Sequence, residues 1–253
     1  MKTLEKKNKG GLWNATFGEL IATFQILEKN GFTLEMLKQL REKGGEEKAK
    51  KIVSIFLETI SAQGNYNYED LKIEWQNFYA KYFNLKVDLS GIKISALRTG
   101  FDRLIIIIPG ISPDSVVVAQ RQYFKTWVFN EDLDAAIAHN DRDASNEPYA
   151  IWVRDTVEPD QKYRNRSANW AKEKQISGET ILERLIHGLK YWDEKKKHLD
   201  INGTTMCTGS RHSCGQVPRV DLGSVGIGVR VFWYDPGSVL GSIGPREIVS
   251  CIA

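Results

Sequence analysis

Val229-Arg-Val-Phe-Trp233-Tyr-Asp-Pro-Gly-Ser-Val-Leu-Gly-Ser-Ile-Gly-Pro-Arg246-Glu-Ile-Val-Ser-Cys251 decides the fold, because it holds a short alternating strand, a Gly- and Ser-rich excursion and a closing strand. The whole tail around it, residues 207–253, is written in a restricted alphabet. Lys, Glu, Gln, Met and Trp together contribute only Gln216, Trp233 and Glu247 there, whereas the preceding 206 residues hold 56 of them, so about 13 would be expected. These five types share a genetic property: none is reached when the two adenines of an AAC or AAT codon are randomised. The other fifteen are all reached, and no stop codon arises. A β region rich in turns is also poor in Lys, Glu and Gln, so composition alone leaves both readings open.

The order of residues adds to this. The run Val229 to Cys251 resembles the variable region of diversity-generating retroelement target proteins, with Trp233 matching the fixed Trp and Ile243, Gly244 and Arg246 the closing strand. The upstream Cys207-Thr-Gly-Ser-Arg-His-Ser-Cys-Gly-Gln-Val-Pro-Arg-Val is similar to the lead-in of uncharacterised members from candidate-phylum bacteria. The resemblance is strongest over residues 200–253, weaker back to about residue 100, and does not reach the N-terminal part. It implies a C-type-lectin-like domain whose C-terminal surface binds a ligand. Val231, Trp233, Arg246 and Ile248 are then expected to be fixed scaffold. Asp221, Leu222, Ser224, Val225, Ile227, Phe232, Tyr234, Asp235, Ser238, Val239, Leu240 and Ser242 are the expected ligand-facing set. Phe232 and Tyr234 can point outward only if Val231 and Trp233 face the core, because strand side chains alternate.

Upstream of the tail the pattern changes twice. Residues 15–63 read as three short helices: Thr16-Phe-Gly-Glu19 starts the first, Asn30-Gly31 stops it, Thr33 starts the second and Gly44-Gly45 ends it. Gly64 to Glu69 is a polar break, and Leu71, Trp75, Phe78, Tyr79, Tyr82 and Phe83 then form an aromatic helix face suited to packing. Beyond residue 95 the signals are mixed. Leu104 to Ile108 reads as a buried strand, Val116 opens a further element, Asp132 to His139 reads as helix and Tyr149 to Arg154 as strand. Thr180-x-x-Glu183 caps an amphipathic helix through Trp192. The expected class is α+β, with a helical module at 1–65, an aromatic helix and linker at 66–95, and a C-type-lectin-like domain at 96–253 carrying a variable region at 207–253.

Chemical motifs are scarce. The oxygen-rich run Asn140 to Glu147 lacks the glycine and bidentate Glu of a calcium loop, and Cys207-x6-Cys214 is too widely spaced for a structural zinc pair. No nucleophile elbow occurs, and Gly223 to Gly228 is followed by a strand rather than the helix a nucleotide loop needs. No metal, cofactor or catalytic residue is therefore expected, and the chain reads as a non-enzymatic binding protein. Its partner would be a protein or other macromolecule at the C-terminal surface, with a second docking partner open to the N-terminal helices. Two alternatives remain: a DNA-binding regulator through those helices, and a hydrolase with a dispersed site. Nucleic acid is not the expected partner, since a net charge of +3 gives no strong basic stripe. No apolar run follows the charged start, and the longest aliphatic block is far short of a membrane span, so neither an export signal nor a membrane partner is expected and a cytoplasmic location is.

Overall fold

Breaker residues set the first helices where the sequence places them. A computed structural model of the chain describes residues 16–62, 67–95, 97–129, 132–223, 228–239 and 241–251. The chain divides into two compact units, Met1–Thr59 and Ile60–Ala253. In the first, α1 (Phe17–Lys29) stops where Gly31 takes a left-handed φ of 86°. α2 (Leu34–Gln39) is capped by the Thr33 hydroxyl, which accepts from Met36 N, and α3 (Gly45–Ala62) starts in this unit, its last three residues counting with the second. The apolar stripe of α1 stays exposed: Phe17, Ile21, Phe24 and Leu27 are all open to solvent.

The second unit begins earlier than the polar break suggests. Asn67 caps α4 (Tyr68–Phe83), and Asn84 closes it in the left-handed conformation that lets a chain leave a helix. Trp75, Phe78, Tyr79 and Tyr82 are buried, and Tyr79 Oη donates to the Ile106 carbonyl at 2.7 Å. This helix therefore belongs to the core of the second unit.

That core is mixed α+β. β1 (Arg103–Ile107) and β4 (Tyr149–Val153) pair antiparallel, and β10 (Val249–Ser250) joins the far edge of β4. Both β1 and β4 are buried along their whole length, which explains their continuous apolar runs. α5 (Pro113–Arg121) starts at a Ser112–Ser115 capping box with Pro113 in its first turn. α8 (Ile181–Lys195) starts at the Thr180–Glu183 box.

A second sheet positions the tail. It contains β2 (Thr126–Val128), β5 (Thr204–Met206), β7 (Val217–Leu222), β8 (Val229–Tyr234) and β9 (Ile243–Gly244), in the order β2-β8-β7-β5-β9. β2–β8 and β5–β9 are parallel; the other pairs are antiparallel. Its inner face, with Val220, Val229 and Val231, joins one core with Leu185, Ile186 and Leu189 of α8 and Val116 of α5. A small separate ladder pairs β3 (Ile137–Asn140) with β6 (Ser210–His212).

One expected helix is mostly absent. Asp132 caps only α6 (Leu133–Ala136), and Ile137 turns extended (φ −85°, ψ 108°) to enter β3. Pairing of Ile137 with His212 supplies hydrogen bonds that a helix would otherwise have made, and tertiary pairing overrides local preference.

Candidate functional site

The outer face of the five-stranded sheet is half covered. On the β5–β9 side, Ala168 of α7 (Ala168–Glu173) packs with Met206, Val217 and Ile243 into a small second core, with Tyr234 against it. On the β2–β8–β7 side the face is open. Strand register sets what is displayed there: Arg230 lies between Trp127 on β2 and Asp221 on β7, and Phe232 lies opposite Arg219.

These side chains line an open groove of about 460 Å³ bounded by Trp127, Phe129, Arg219, Arg230 and Phe232. Trp127 is 47% exposed and Phe129 66%, large values for rings in a folded protein. The Trp127 and Phe232 rings meet edge to face at 6.1 Å. Arg219 lies over two rings, its guanidinium carbon 3.5 Å from the Phe232 centroid and 4.0 Å from that of Tyr234. Such contacts contribute roughly 0.5–2 kcal/mol each, more where water is excluded. Gly228 makes the β2–β8 junction possible: its φ is 82°, and a Cβ there would collide with the Lys125 backbone.

Charge on the groove is unevenly matched. Asp221 accepts from Arg230 Nε at 2.7 Å and from Nη2 at 3.0 Å, a bidentate pair. Arg219 makes no such pair; its Nε is buried and has no hydrogen-bond partner among the described residues. Burial also pushes the Arg219 pKa down.

The expected ligand-facing residues fall into several groups. Phe232 and Tyr234 are half-buried on the outer face, while Asp235 and Val239 are exposed. Ser238 and Ser242 are half-buried; the Asp235–Ser238 turn is tied to the start of α7 by Asn169 N donating to the Pro236 carbonyl at 2.9 Å. Asp221 is a correction, since it is only 5% exposed and is consumed by Arg230 and Thr204. Leu222 is a second correction, because alternation turns it inward, where it packs against the main core. Ser224, Val225, Ile227 and Leu240 lie outside the described residues.

Among the expected scaffold residues, Val231, Arg246 and Ile248 are buried. Trp233 is half-buried, packed against the main core and edge-on to His212 at 4.6 Å. Trp127, Phe129, Arg219 and Arg230 were not anticipated. The alternation in Thr126-Trp-Val-Phe129 could have indicated two rings on one strand face, but nothing local places that strand beside β8.

A second polar cluster is sealed. His187 Nδ1 lies 2.8 Å from Glu179 Oε1, and Arg184 and Arg246 both donate to Asp200. Glu179, His187, Asp200 and the nearby Cys207 have no exposed surface. The arrangement is an ion network within the core.

Comparison with protein-family models, with curated proteins and with solved structures gives no match for this chain. Among the described residues no helix is long and apolar enough to cross a membrane.

Proposed function

We propose that the chain is a ligand-binding variable protein of a diversity-generating retroelement. In this reading a non-enzymatic, C-type-lectin-like scaffold displays a hypervariable C-terminal surface to a protein or other macromolecule. One observation carries it: inside the restricted-alphabet tail, β8 places Arg230 and Phe232 on an open sheet face, with Tyr234 half-buried at its covered edge, and Val229 and Val231 in the core. A surface can accept arbitrary side chains only where they touch solvent and leave packing alone. Aromatics among small polar residues are also the chemistry of antibody paratopes, where rigid rings supply area and polar groups supply adaptable hydrogen bonds.

The ligand-facing set becomes Arg219, Arg230, Phe232, Tyr234, Asp235 and Val239, with Trp127 of β2 and Phe129 just beyond it as a framework wall. The coding locus tests this. An imperfect repeat of the tail's codons, differing mainly at adenines and lying beside a reverse transcriptase gene, is the expected finding. A tail encoded once, with no such repeat, ends the reading.

A further inference from the structure

Resting on the reading of the outer sheet face as the ligand surface, we infer that the Trp127–Phe129–Phe232–Arg219 groove takes an acidic segment of a protein partner, with a carboxylate at the Arg219 guanidinium and an apolar neighbour against Trp127 and Phe129. The charge arithmetic comes first. Two arginines and one aspartate line the face, and the aspartate is fully engaged by Arg230. Arg219 is left as a half-buried cation that Tyr234 hydrogen-bonds and Asp221 attracts, but with no acid bonded to it and with its Nε unpartnered. A guanidinium with no bonded carboxylate beside apolar rings is costly, and its planar fork fits a carboxylate in bidentate geometry.

The rings decide between partner classes. Single-stranded nucleic acid needs free aromatic faces for its bases and a run of cations along its backbone. Here the Arg219 guanidinium already covers a face of Phe232 and of Tyr234, and one arginine without a bonded acid is too few cations to track phosphates. What remains open is a guanidinium in one groove with two exposed rings, Trp127 on β2 and Phe129 just past its end, set two residues apart. That spacing suits a carboxylate next to an aliphatic or aromatic side chain on an extended peptide.

The full-length protein, Arg219→Gln and Trp127→Ala would each be used to select from a random linear peptide library, and their affinity for a fluorescent oligothymidylate would be measured in parallel. Trp127→Ala keeps the guanidinium and removes an exposed wall, so it separates loss of the pocket from loss of the charge. The expected result is enrichment of peptides with Asp or Glu beside an apolar residue, and affinity falling roughly tenfold or more in both variants, each of which still unfolds cooperatively above the assay temperature although the lost ring contacts lower its midpoint. Enriched peptides without acidic residues, or with affinity indifferent to Arg219→Gln, overturn the inference. Oligothymidylate binding that disappears in Arg219→Gln overturns it in favour of nucleic acid. The absence of any site-dependent binder in either pool also overturns it, while the adenine-biased repeat decides the underlying reading independently.

Discussion

Arg246 ties together four segments of the second unit from a position 1% exposed. Its Nη2 donates to Asp200 Oδ1 and the Val157 carbonyl, both at 2.6 Å, its Nη1 to the Thr156 carbonyl and its Nε to the Thr205 hydroxyl. Burial pushes the Asp200 pKa up, but Arg184 and Arg246 outweigh it and hold the carboxyl down at about 2. Removing one partner of a buried pair strands the other, so Arg246→Gln should cost about 3–5 kcal/mol in urea unfolding. Ser238→Ala, in a turn outside that network, should stay within about 0.5 kcal/mol. Comparable losses at the two sites would show that the network contributes nothing special. The resemblance puts Arg246 in the closing strand and among the scaffold residues; it lies instead between β9 and β10, and nothing in the local pattern gives its burial. Arg is rarely buried unless paired, and its partners lie 41 to 90 residues away along the chain.

Within β8 the two faces carry different energetics. Val231 is fully buried, so Val231→Ala removes two methyl groups from packed surroundings and should cost about 2 kcal/mol. Phe232→Ala loses a partly solvated ring and its guanidinium contact, about 1 kcal/mol. Paired thermal melts test this: a larger loss at Phe232 would reverse the assignment of faces and with it the groove. Local pattern was enough for this strand, for α4 and for α8, because caps and apolar spacing lie within a few residues. Pattern failed at Asp132 to His139, where a pairing with β6 some seventy residues away converts half the segment to strand. It failed again at Asp221, where alternation correctly turns the side chain to the outer face but cannot show that Arg230, directly opposite, closes over it. The groove itself was half legible: its β8 residues lay in the unusual tail, and its β2 wall did not.

At the scale of the whole second unit, the sealed cluster gives folding a pH dependence that one substitution can isolate. Glu179 is fully buried, and burial raises its pKa from 4.5 to about 7 against the opposing pull of Arg246 and Arg184. Its carboxyl then holds its proton in the folded chain over a range where the unfolded chain has lost it. Below pH 4.5 both states are protonated and the contribution to stability is complete. Between pH 4.5 and about 7 the contribution falls by up to about 1.4 kcal/mol per pH unit, and above that range it is constant. His187 works in the opposite direction, since burial lowers its pKa and the unfolded chain binds its proton below about 6.5. The total profile therefore partly cancels, and the informative quantity is the difference between the natural chain and Glu179→Gln. A glutamine keeps the shape and cannot ionise, so the natural chain's unfolding free energy should fall relative to that of the variant from pH 5 to 7 and run parallel to it from pH 7.5 upward. A difference that stays flat from pH 5 to 7 in urea titrations would mean that Glu179 is ionised in the fold, with the two arginines prevailing over its burial.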